Sequence, residues 1–64
     1  MFATGDFIVE RECARAGADF GVVKGFEDAA NGEVILDVQF TTERVYAFAS
    51  QCLHYRDWLH EQAL

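Results

Sequence analysis

Four short apolar runs, Asp6–Glu10, Phe20–Phe26, Glu33–Phe40 and Arg44–Phe48, are separated by turn-rich spacers. The third is the clearest. Val34, Leu36, Val38 and Phe40 alternate with Glu33, Ile35, Asp37 and Gln39, so a strand here has one wholly apolar face and one mostly polar face. Gly5-Asp6 is a turn signal ahead of Phe7-Ile8-Val9, because Gly supplies unusual φ and Asp bonds nearby backbone. Gly21 and Gly25 punctuate the second run, where a strongly bent strand must relax its twist or let a neighbour approach. Asn31-Gly32 is a strong hairpin signal joining the second and third runs. Thr41-Thr42-Glu43 then turns into Arg44-Val45-Tyr46-Ala47-Phe48, which is rich in β-formers. Residues 10–19 contain helix formers without an apolar period and are broken by Gly17, so they read as a long loop with one helical turn.

After Phe48 the period changes. With Ser50 as N-cap, Cys52, Leu53, Tyr55, Trp58, Leu59 and Ala63 follow the i, i+3, i+4 spacing of one helical stripe. Arg56, Asp57, His60 and Glu61 fall mainly opposite. The expected architecture is one mostly-β domain over residues 1–64. Four or five antiparallel strands in residues 2–49 form a small barrel, and a C-terminal helix occupies residues 50–63.

A chain of 64 residues buries only about 60% of its unfolded surface, so its margin of stability is thin. Yet 52% of the residues are hydrophobic, with six Phe, two Tyr and one Trp. Some aromatic surface must stay outside so small a core, which predicts self-association or a protein partner. Tyr46, Phe48, Tyr55 and Trp58 are the candidate interface residues. Trp58 has two readings: it packs the helix over an open end of the barrel, or with Tyr55 it anchors another chain. Tyr46 and Phe48 share that ambiguity, since one face of their strand must point away from the core.

Eleven acids against five Lys and Arg give a net charge of -6. That balance opposes binding to nucleic-acid phosphates and to anionic membrane surfaces. The acids are scattered rather than blocked, the pattern of a solvated surface. The first residues carry no secretory pattern and no apolar run reaches spanning length, which predicts a cytoplasmic protein with Cys13 and Cys52 as free thiols.

The chain from Gly5-Asp6-Phe7-Ile8 through Phe20-Gly21-Val22-Val23, Val34-x-Leu36-x-Val38-x-Phe40 and on to Leu53 resembles small SH3-like barrels of the Tudor and KOW kind. The module at the end of bacterial UvrD-type helicases is similar, with its "GD-x-V", "FG-x-G-x-V" and "V-x-F" segments; the second glycine of the middle segment is absent here. The resemblance covers residues 2–53 and implies an SH3-like barrel that binds proteins or nucleic acids and catalyses nothing. Gly17 to Phe26 also resembles, with one residue deleted, the Gly-Ala-x-Trp-x-Gly-x-Ile-Val-Gly-Trp strand of plasmid-borne type II dihydrofolate reductases, whose oligomers enclose a pore. Their pore-lining Val-Gln-Ile-Tyr matches Val45-Tyr46-Ala47-Phe48, so the substrate- and cofactor-holding Gln, Ile and Tyr are replaced.

His54, Asp57 and Glu61 stand at i, i+3, i+7 on the predicted helix, a spacing that could offer ligands to a divalent metal, but with no fourth ligand they read as a solvated face. Cys52 and His54, two apart on a helix, point in different directions and make no nucleophile pair. No phosphate-cradling loop or nucleophile elbow occurs. No cofactor, metal or catalytic residue is therefore expected. The leading expectation is a non-enzymatic module acting by protein association or self-assembly. Two alternatives accompany it. One is an acidic inhibitor or DNA mimic of the phage or mobile-element type, using Glu27, Asp28, Glu33, Asp37 and Glu43 gathered on one face. The other is a small-molecule site at an oligomer's pore.

The alternation in the third run makes a direct test. Leu36→Ala should lower stability by about 2–5 kcal/mol, the usual cost of emptying a core leucine site. Chemical denaturation checks it, and an unchanged midpoint would mean that the two faces are reversed.

Overall fold

The computed structural model describes residues 2–11 and 20–63. The loop expected over residues 10–19 lies mostly outside the described residues, as does Cys13. Five strands form one antiparallel sheet: β1 (Phe7–Glu10), β2 (Gly21–Asp28), β3 (Val34–Gln39), β4 (Arg44–Phe48) and β5 (Cys52–His54). A 3-10 turn, Ala49–Gln51, links β4 to β5, and helix α1 (Tyr55–Gln62) follows. The sheet order is β4-β3-β2-β1-β5, so the first four strands meander and the fifth returns to the far side of β1. This is the expected class: mostly β, five antiparallel strands in a small barrel-like sheet, with a C-terminal helix.

The turns form where their chemistry is written. Gly5 has φ +96° and donates its N–H to the Val23 carbonyl at 2.8 Å, while the Asp6 carboxylate accepts the Ala3 N–H at 2.8 Å. At the β2–β3 turn Gly32 has φ +84°, and the Ala29 N–H bonds the Glu33 carbonyl at 2.7 Å. The Asn31 side chain accepts from the Glu33 N–H at 3.1 Å and donates to its carboxylate at 3.0 Å. Both glycines adopt left-handed backbone that other residues reach only at a cost.

The core follows the alternation. Ile8, Val23, Leu36, Val38 and Cys52 form one buried cluster, bordered by Phe2, Val34, Phe40, Ala47 and Ala49. Leu36 is 1% exposed, Val34 and Phe40 are half-buried, and Gln39 on the opposite face is exposed. Val9 is buried outside that cluster, on the other face of β1, where α1 packs against β1 and β5.

The C-terminal boundary differs from the sequence expectation. Ser50 lies in the 3-10 turn and caps nothing. Cys52–His54 is a strand, with Ile8 opposite His54, Val9 opposite Leu53 and Glu10 opposite Cys52. The helix starts at Tyr55, with His54 at its N-cap and no side-chain cap bond. A helix from Ser50 would leave the outer edge of β1 without backbone partners in a buried position, and tertiary pairing overrides the local helical pattern. Cys52 and Leu53 fit a strand as well as a helix, because adjacent residues there face opposite sides. Elsewhere boundaries move by one or two residues, and β4 has the expected limits.

Gly21 shows why the second strand needs a glycine. A Cβ there would overlap Cγ1 of Val38 and lie 3.1 Å from the Phe40 ring. Gly25 sits where the β2–β3 register shifts after Val23, and a Cβ there would meet nothing within 4 Å. Gly21→Ala should therefore cost about 1–3 kcal/mol through overpacking against a buried valine. Gly25→Ala should change stability far less. Denaturant midpoints of the two variants check the contrast, and equal midpoints would contradict the packing described.

Candidate functional site: two aromatic surfaces and a histidine clasp

Alternation on β4 sends Val45 and Ala47 inward and leaves Arg44, Tyr46 and Phe48 exposed. Opposite them on β3 stand Gln39, Asp37 and Ile35 respectively. Tyr46 is 66% exposed and Phe48 39% exposed. Phe26 is 58% exposed although its strand partner is the buried Leu36. A shallow groove of about 280 Å³ runs along this face, lined by Gly25, Phe26, Glu27, Ile35, Asp37 and Tyr46.

Arg44 crosses the face to Asp37 in a two-pronged ion pair, with Nε donating to Oδ1 at 2.7 Å and Nη2 to Oδ2. The two residues are diagonal neighbours on adjacent strands, which is the reach of a long side chain. The guanidinium hydrogen bonds hold the Asp37 carboxyl below its ordinary value, and the carboxylate raises Arg44 above its own. The pair thus remains charged while cancelling its own net charge.

The second aromatic surface runs from β1 to α1. Phe7 and Phe20 meet edge-on with centroids 5.5 Å apart, Phe20 and Tyr55 lie 4.7 Å apart, and Tyr55 stacks on Trp58 at 6.0 Å. Tyr55 and Trp58 are half-buried, whereas Phe7 and Phe20 are exposed. Trp58 is half-buried and stacks on Tyr55 of its own helix.

The four sequence-nominated residues accordingly divide into two pairs. Tyr46 and Phe48 lie on the strand at one end of the sheet order, and Tyr55 and Trp58 on the helix that follows the strand at the other. Phe7, Phe20, Phe26 and Ile35 were not nominated. Phe7 and Ile35 were legible from strand parity, since each alternates with a core residue. Phe26 was not, because the register shift between Val23 and Gly25 decides its position.

A groove of about 410 Å³ lies beside the start of α1, lined by Gly5, Asp6, Phe7, His54, Tyr55 and Arg56. His54 Nε2 is 3.1 Å from Asp6 Oδ2, and its Nδ1 is 3.8 Å from Asp57 Oδ2. Both ring nitrogens are directed at carboxylates, and the Phe2 ring lies 4.5 Å away. The arrangement clasps the N-terminal segment to the β5–α1 junction. Asp6 is held below its ordinary value, first by the Ala3 N–H and then by His54.

Among the described residues, no three His, Cys, Asp or Glu side chains gather as metal ligands, so His54, Asp57 and Glu61 form no cluster of that kind. Cys52 is a free, buried thiol, not bridged. Burial, then the Glu10 charge, pushes its pKa up to about 11. No helix among the described residues is long and apolar enough to cross a membrane. Comparison with family models, with curated proteins and with solved structures finds no match.

Asp6 and Asp37 make acid the informative titration. Each has a folded pKa below its unfolded value near 3.8, so each contributes stability that is fully present above that value. The contribution is lost as pH falls through the still lower folded values. Melting temperature should therefore drop between about pH 5 and pH 2, and the Asp6→Asn/Asp37→Asn variant should show a shallower drop. Parallel slopes in the two proteins would show that these contacts do not persist in solution.

Proposed function

We propose that this chain is a non-enzymatic association module that works by protein contact, either with its own copies or with another protein. The observation that carries the reading is the exposed face of β3 and β4, where Tyr46 and Phe48 lie beside Ile35. Large aromatic side chains left outside a small core favour an interface, because an interface removes them from water at little further conformational cost. The resemblance to Tudor- and KOW-type barrels supports the same reading, since such modules bind rather than catalyse. A cytoplasmic setting accords with the free thiol of Cys52.

The acidic-mimic alternative needs its carboxylates on one face. Glu27, Asp28 and Glu33 lie near the β2–β3 turn, Glu43 sits at the opposite end of that hairpin, and Asp37 is neutralised by Arg44. That distribution does not favour it. The reductase-like alternative has no support at Val45-Tyr46-Ala47-Phe48, where Tyr46 and Phe48 present rings outward and Val45 and Ala47 turn inward.

Assembly stabilises a native state by mass action. For a dimer, a tenfold rise in concentration is worth about 1.4 kcal/mol, shared between two chains. In a domain of this size that corresponds to an increase of about 3–6 °C in melting temperature per tenfold change. Differential scanning over a hundredfold range checks it. A fixed melting temperature with a monomeric sedimentation mass would overturn self-association.

A further inference from the structure

Among the described residues, both ends of the sheet are unpaired edges, and they differ in kind. β5 has three residues and is hemmed by the 3-10 turn before it and α1 after it. β4 has five residues, Arg44–Phe48, pairs with β3 without a register shift, and contains neither Pro nor Gly. Natural sheets usually blunt such an edge with a bulge, a proline, an inward charge or a covering element. Among the described residues, β4 has no bulge, proline or covering element, and its one charged side chain, Arg44, is turned back onto Asp37 of β3.

Charge narrows the occupant. The chain carries a net charge of -6, so two copies repel over most of their surface. The longest stretch of sequence without Asp or Glu runs from Arg44 to Arg56, and it begins with β4. The one acid facing β4 from β3 is Asp37, already held by Arg44. The β4 edge is thus a place where two acidic copies can meet without opposing charges of like sign.

We propose that two copies of this chain pair antiparallel along β4, about a two-fold axis at Tyr46, to make one continuous ten-stranded sheet. The proposal rests on the association reading above and names its partner and geometry. Antiparallel pairing about Tyr46 sets Arg44 opposite Phe48 of the second copy and Val45 opposite its Ala47. On the outer face, Phe48 of each copy then lies across from the Arg44 alkyl stem of the other, whose guanidinium stays on its own Asp37, and the two Tyr46 rings meet at the axis. On the inner face, Val45 and Ala47 extend the apolar layer across the junction. Such self-complementarity is what a closed two-fold interface requires.

Cysteine cross-linking reads the register directly. In a Cys13→Ser background, Cys52 is buried and its raised pKa keeps it slow to oxidise near neutral pH. Tyr46→Cys should give a disulfide-linked dimer under mild oxidation, because directly opposed residues lie within bridging distance. Arg44→Cys should give none, since its counterpart across the axis is Phe48. Tyr46→Lys, at an exposed position that spares the fold, should place two cations together and halve the sedimentation mass, with circular dichroism unchanged.

A dimer in which Arg44→Cys links as well as Tyr46→Cys means parallel pairing, and it overturns the inference while leaving association intact. A dimer that ignores Tyr46→Lys has the same consequence. A wild-type protein that is monomeric by sedimentation at millimolar concentration overturns both the inference and self-association.

Discussion

Burial of five side chains from four strands holds the molecule together: Ile8 of β1, Val23 of β2, Leu36 and Val38 of β3, and Cys52 of β5. The cluster needs the N-terminal and C-terminal strands side by side, and the pairing of β5 on β1 supplies that closure. It also needs Val38 to sit where a larger residue than Gly21 would stand. With so few groups, every one is costly to remove, which is the general condition of a domain near the lower size limit. The hydrogen-bonded clasp of His54 with Asp6 reinforces the same closure from outside, tying the first residues to the start of α1.

β4 is the exception in this scheme. It contributes half-buried Val45 and Ala47 but no fully buried residue, and it is paired on one side only. Its exposed face carries two of the large aromatic side chains that the core cannot accept. The strand least anchored by the core thus leaves two large rings in water. Physical economy in a small domain therefore places stability and interaction at opposite parts of the sheet: β1 at the closure, β4 at the rim.

The sequence showed most of the fold because its signals were local. Val34, Leu36, Val38 and Phe40 announced a one-faced strand, and Asn31-Gly32 and Gly5-Asp6 announced turns, each by chemistry contained within a few residues. The start of α1 was hidden because Cys52, Leu53 and Tyr55 satisfy two periods at once. The deciding influence is the outer edge of β1, far away in sequence, which takes Cys52–His54 as its partner. The same limit applies to the site. Strand parity alone puts Tyr46 and Phe48 on one face, but whether that face is inside depends on what lies opposite. Phe26 is placed by a register shift that no residue pattern around it encodes.

The Arg44–Asp37 pair joins the structural and functional arguments. As a stabilising contact it is modest, since exposed ion pairs typically contribute about 0–1 kcal/mol. Its larger effect is on the character of the surface. By cancelling Asp37, it makes the face of β3 and β4 nearly neutral on a chain whose net charge is -6. An aromatic face at a neutral site on an acidic body is accessible to another acidic body, whereas the same rings beside an unpaired carboxylate would be guarded by repulsion. Salt should therefore act on association mainly by screening the repulsion between the two acidic chains, and hardly through the balanced charges of this face. The other acids, among them Asp6 and Glu10 at the ends of β1 and those of the β2–β3 turn, the β3–β4 turn and α1, would then direct encounters toward β4 by excluding other approaches.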